Sequence, residues 1–309
     1  MSAEGGNRAV MAALVANLSI AATKFVAFAL TQSASMLAES VHSLADSGNQ
    51  LLLMLGRRRS RQPANEEHPF GYGRARFFYA FIVSVVLFTV GGLFALYEAW
   101  HKWQDPHPIV SWRWVPLAVL GVAILLESYS LRTAVTEANR IRGPHRWTSF
   151  IRTAKAPELP VVLLEDVGAL VGLLFALAGV ALSLVTGDGR WDAAGTFAIG
   201  LLLVTIAVVL AIETRSLLLG ESASAADVAA IRAALIGPGV TSVIHLRTQH
   251  LGPDELLVGA KIEVPGATTA AEVATAIDAA ELRVRAAVPI AGVIYLEPDL
   301  RRAEDAPDA

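Results

Sequence analysis

His42 and Asp46 stand four residues apart inside SASMLAESVHSLADSGNQLLLML, a segment long enough to cross a bilayer. Ionisable side chains at membrane depth cost roughly 2.5–3.5 kcal/mol each on insertion scales, so they persist where they do work. A four-residue step sets both on one helix face, about one turn apart. An imidazole and a carboxylate so placed make half a site for a divalent transition metal. Glu39, three residues before His42, falls on the same face. A second acidic pair, Glu165 and Asp166, interrupts the apolar run LPVVLLEDVGALVG; consecutive residues point about 100° apart, so the two cannot ligate equally well. Asn17, Lys24 and Glu127 are further polar groups in apolar runs, where hydrogen bonding between helices is the expectation. Asp192 is expected to be the N-cap, or an N-terminal charge, of the helix that it opens, on the outer side. His68, with Glu66 and Glu67 beside it, is either a second metal ligand or an exposed loop histidine.

The elements that must position these groups show in the hydropathy. The chain is 54% hydrophobic and 17% charged, with a mean hydropathy of +0.51, where soluble domains carry about 25% charge. The deficit collects in apolar stretches at 9–31, 33–55, 76–99, 114–138, 159–186 and 193–219, each near the roughly 20 residues that span a bilayer. This predicts an α-helical membrane protein with six transmembrane helices over 1–220. Arg57, Arg58, Arg59, Arg61 and Arg74 follow the second stretch, and Arg140, Arg142, Arg146, Arg152 and Lys155 follow the fourth. The opposite loops hold Lys102, Arg113 and Arg190. By the positive-inside rule the N- and C-termini face the cytoplasm, at the inner membrane if the cell is bacterial. MSAEGGNR shows no cleavage pattern, so the first span is expected to serve as the targeting signal. In this orientation Asp46 lies about nine or ten residues (~14 Å) and Asp166 about seven (~11 Å) from the cytoplasmic ends of their spans. Two antiparallel helices thus bring their carboxylates to one depth, where they can share an ion.

There is no cysteine, so metal ligands must be His, Asp, Glu or amide and carbonyl oxygens. The net charge of −3, with no basic patch, offers nothing to nucleic acid. After Gly220 the composition turns ordinary. A Ser-led helix, the strand-like runs VTSVIHLRTQHLG and DELLVGAKIEVP around a GPD turn, a helix capped by Thr268 or Thr269 and the strand AGVIYLEP follow. This predicts a small αββαβ cytoplasmic domain over 221–300 for dimerisation or regulation, and a disordered polar tail over 301–309. No catalytic residue and no prosthetic group is expected.

AESVHSLADSGNQ, HPFGYGRARFF and WDAAGTFAIGLLL, with the six-span pattern and the αββαβ tail, resemble the cation diffusion facilitator family. The span entered through HPFGYGR is similar to the branch that includes mitochondrial zinc exporters. The resemblance implies a homodimer that exports a divalent cation from the cytosol in exchange for protons. Zinc is favoured as the cargo, with manganese or iron as alternatives. It assigns His42 and Asp46 as one pair of transport ligands and Asp166 as a third. The fourth position, a histidine in the family pattern, is Val162 here, which leaves Glu165, Glu39, Asn17, a water or a carbonyl oxygen to complete the set, Glu165 being favoured. In the family's loop site His68 is retained, but Asn65 and Tyr72 replace its other ligands. In the cytoplasmic domain the ligand positions fall on Ile244, Lys261, Tyr295 and Glu297, so a binuclear site is not expected there.

Two other classes fit parts of the pattern. An intramembrane hydrolase also buries Asp, Glu or His, but there is no HExxH pair, no cysteine, and only Ser43 beside His42 as a nucleophile–base pair. A non-transporting metal-sensing scaffold would keep the fold and tolerate Val162.

Overall fold

The structure, a computed structural model, describes residues 3–300 apart from 111, 144, 145 and 267. The expected disordered tail, 301–309, lies outside the described residues. The chain divides into two compact units: residues up to 58 with 77–215, and residues 59–76 with those from 216 onward.

The first unit is helical: α1 (Ala3–Thr31), α2 (Ala34–Ser60), α3 (Ala75–Val86), a π-helical stretch Leu87–Leu93, α4 (Phe94–Gln104), α5 (Trp114–Arg142), the short α6 (Trp147–Thr153), α7 (Glu158–Thr186) and α8 (Arg190–Leu219). Among the described residues four helical segments are long and apolar enough to cross a membrane: Ala75–Gln104, Trp114–Arg140, Glu158–Thr186 and Arg190–Leu219. The described apolar part of α1 runs from Asn17 to Thr31. Helix α2 has 27 residues, enough length for a span, but Glu39, His42, Asp46 and Asn49 line one of its faces and lower its hydropathy. The outer surface of the bundle is what lipid requires: Leu125, Tyr129 and Val185 are each more than 70% exposed. Trp100, Trp103, Trp112, Trp114 and Trp191 are exposed at the end of the bundle where α4 stops and α5 and α8 begin. Such a girdle of amphipathic rings suits a membrane–water interface.

Close packing of α7 on α8 depends on small residues. A methyl group on Gly179 would meet the Trp191 carbonyl at 2.8 Å and Gly195 Cα at 3.2 Å, the close backbone approach that glycine permits between membrane helices. Asp192 lies in the first turn of α8, the N-terminal charge of the two expected roles, and its side chain reaches beyond its own helix. It is fully buried and accepts from Ser33 Oγ (2.9 Å), Ala34 N (2.8 Å) and Ser35 N (3.3 Å), so it caps α2 across the interface. The reason is packing: the α1–α2 turn presents its orphan N–H groups to the start of α8, and a buried carboxylate goes where donors have no water.

The second unit holds α9 (Ala225–Leu235), β1 (Ser242–Gly252), β2 (Glu255–Glu263), α10 (Ala270–Ala287) and β3 (Val293–Asp299), in the αββαβ order read from the sequence. The sheet order is β1-β2-β3, antiparallel between β1 and β2 and parallel between β2 and β3. Leu256, Val258, Ala260 and Ile262 alternate inward along β2 and are buried with Ile231, Leu235, Ala276, Ala280 and Val284 of the two helices. Thr269, one of the two expected caps, closes a capping box with Glu272. The basic loop after α2 belongs to this unit: Gly73 packs on the β1–β2 turn, where a Cβ would lie 2.7 Å from the Leu251 carbonyl, and Arg76 pairs with Asp254 at 2.8 Å.

Candidate metal centre

The helix α2 alone assembles the first half of the site. His42 Nε2 lies 3.5 Å from Asp46 Oδ2, with His42 only 1% exposed. Neither imidazole nitrogen makes a hydrogen bond, and neither does Asp46 Oδ1. Lone pairs left without donors at such burial are held ready for another partner. The π-helical stretch lies against the imidazole: a Cβ on Gly91 would be in ordinary contact with His42 Nδ1, at 4.0 Å. Such local widening recurs at functional sites in helices.

Helix α7 contributes two carboxylates that diverge, as consecutive positions must. Glu165 is buried and turns toward α2, accepting from Asn49 Nδ2 at 2.6 Å. Asp166 turns toward α5, accepting from Ser130 Oγ at 3.0 Å. Asp46 lies within Coulombic reach of both. Val162 and Asp166 line one side of a cleft of about 360 Å³, with Ser130, Thr133, Glu137 and Glu158. Among the described residues no three His, Asp or Glu side chains converge closely enough to hold a metal. The His42–Asp46 pair is therefore assembled, while the α7 carboxylates stand apart from it, held by Asn49 and Ser130.

The remaining expected ligands are placed as follows. Glu39 is fully buried and its Oε2 pairs with Lys24 Nζ of α1 at 2.9 Å; the same ammonium reaches Ser43 Oγ at 2.8 Å. His68 stacks on Tyr72 at 4.3 Å between ring centroids. Asn65 bonds both the Tyr72 hydroxyl (3.0 Å) and the His68 amide (2.7 Å), while Glu66 and Glu67 are exposed. The loop thus closes on hydrogen bonds and a ring stack. On the sheet, Lys261 bridges Asp299 (2.7 Å) and Glu297 (3.3 Å), and these bonds, Asp299 foremost, push its pKa up. Two nearby histidines that were not expected as ligands are strand residues: His245 is exposed, and His250 is buried with Nδ1 3.2 Å from the Gly252 carbonyl. Asn49, Ser130 and Gly91 were not among the sequence candidates. A buried amide three residues after Asp46 is the one signal that periodicity offered for Asn49.

A helical membrane unit with a buried imidazole beside a half-buried carboxylate, joined to a small αββαβ unit, fits a polytopic transporter. The family profile described as the cation efflux transmembrane domain matches residues 10–219, and the chain belongs to that family, the cation diffusion facilitators. It is 29% identical over 266 residues to the proton-coupled zinc antiporter SLC30A9, mitochondrial, of Mus musculus, a match covering 85% of this chain and 47% of the relative. It is 29% identical over 264 residues to metal tolerance protein C4 of Arabidopsis thaliana, covering 84% and 57%. It is 28% identical over 239 residues to the magnetosome protein MamM of Magnetospirillum gryphiswaldense, covering 74% and 68%. The chain thus spans about half the length of the mitochondrial antiporter that it matches.

Proposed function

We propose that this protein exports zinc from the cytosol in exchange for protons, by alternating access through six spans. The observation that carries the reading is the His42–Asp46 pair, a buried imidazole beside a half-buried carboxylate, with lone pairs that no protein donor occupies. His42 and Asp46 would bind the ion first. Glu165 or Asp166 would complete the site as α7 shifts against α2, giving up Asn49 or Ser130. Protons entering from the far side compete for the same lone pairs, because every ligand must be deprotonated to bind metal. The excess of Arg and Lys in the loops after the second and fourth spans supports cytoplasmic N- and C-termini. The αββαβ unit would join two protomers, and exposed Leu282, Tyr295 and Leu300 offer it apolar surface for that.

One observation favours a second cargo. With Val162 in the α7 cleft, the candidate set holds one imidazole among carboxylates, a harder site that suits manganese or iron as well as zinc. Proteoliposomes test both. A proton gradient should drive metal uptake that Asp46→Ala abolishes, with zinc preferred over manganese and iron. Uptake that survives in both Asp46→Ala and Asp166→Ala sinks the site, and no gradient-driven uptake of any of the three leaves a metal-sensing scaffold.

A further inference from the structure

The polar face of α2 continues beyond the His42–Asp46 pair. Glu39 lies seven residues from Asp46 on the same face, about 10 Å along the axis. Its carboxylate is fully buried, and only one of its oxygens is satisfied. Oε2 takes the Lys24 ammonium at 2.9 Å, while Oε1 has no hydrogen bond and faces α7, where a Cβ on Gly172 would approach it to 3.0 Å. Lys24 is itself 4% exposed and spends its second contact on Ser43 Oγ, at 2.8 Å. The spot is therefore already a cation site, built from a carboxylate and a hydroxyl, and a side chain supplies the cation.

We propose that Glu39 and Ser43 form a second cation station beside the transport pair. Lys24 is the tethered cation that keeps metal out of it, so that a protomer loads one divalent ion at His42–Asp46 and not two. An all-oxygen station of this kind would take a hard divalent ion such as manganese once the ammonium is removed. The unused Oε1 is the lone pair that an ion, unlike the single-sided ammonium contact, would engage. The masking also limits the charge held between α1, α2 and α7, since the metal enters beside one fixed positive charge where an unmasked second site would hold two.

This inference rests on reading His42–Asp46 as the transport pair, and the experiment separates the two. The purified full chain in detergent is equilibrated with Mn²⁺, and bound ions per protomer are counted. The wild-type count tests the transport pair. The increment from wild type to Lys24→Met tests the masking, whatever the wild-type count is. The expected result is one additional ion in Lys24→Met, its loss in Lys24→Met with Glu39→Gln, and no additional ion in Lys24→Arg, which keeps a tethered charge. A purely structural Lys24 would change stability and leave the count alone. Lys24→Gln, which retains a donor for Glu39 and Ser43 without the charge, reads the same increment where Lys24→Met does not fold. An unchanged count in a folded, uncharged variant overturns the proposal.

Discussion

Replacing Asp192 by alanine should loosen the end of α2 that sets the height of the His42–Asp46 pair. The carboxylate takes the Ser33 hydroxyl and the Ala34 and Ser35 amides, all of them buried. Its loss leaves three donors with no water to turn to, at roughly 1–3 kcal/mol for each orphaned group. Some relaxation is expected, because the Ser33 hydroxyl can rotate toward another acceptor, whereas the two amides cannot. A net cost of about 3–5 kcal/mol follows, above the ~1 kcal/mol of an exposed cap. For a unit of this size that corresponds to a fall in melting temperature of about 10 °C. Asp192→Asn, which keeps one acceptor oxygen but loses the charge, should fall between the two. The assay is thermal unfolding of the detergent-solubilised protein, followed by tryptophan fluorescence. Trp191 adjoins the substitution, and His42 lies seven residues along α2 from Ser35. Metal affinity should therefore drop along with stability, since the pair sits on the helix that has lost its anchor. An Asp192→Ala protein that melts within 2 °C of wild type would refute the inter-helical cap as a principal tie.

Three further outcomes follow from named contacts. Val162→His restores a nitrogen ligand one turn before Asp166; zinc affinity relative to manganese should rise about tenfold, or ~1.4 kcal/mol, by competitive titration. Thr269→Ala removes the side-chain half of the α10 capping box, at about 1 kcal/mol, read as faster hydrogen exchange in the first turn of α10. Lys261 has its pKa raised by Asp299 and Glu297. Its contribution is therefore fully present below the unfolded-state value of about 10.4 and lost as pH rises through the folded one. The difference in β2–β3 amide protection between wild type and Lys261→Met should shrink across that window; a gap that is constant with pH refutes the assignment.

Much of this protein was legible from residue order alone. The apolar runs, the αββαβ order and the Thr269 cap are local: they depend on hydropathy over a span's length, on periodicity of 2 or 3.6, and on the residue beside a helix start. The His42–Asp46 pair was legible for the same reason, because a four-residue step on a helix is itself a tertiary distance. What residue order left open concerned contacts between helices. Glu165 and Asp166 could be known to diverge, but only packing decided that Glu165 faces α2 through Asn49 while Asp166 faces α5 through Ser130. Asp192 was legible as a charge in the first turn of α8, but its capping of α2 was not, since a carboxylate serves whichever orphan amides are buried nearest to it. Lys24 and Glu39 are 15 residues apart on different helices, and no periodicity pairs them. Their meeting is settled by the α1–α2 turn, which folds two costly charges onto each other because no water is there to take either.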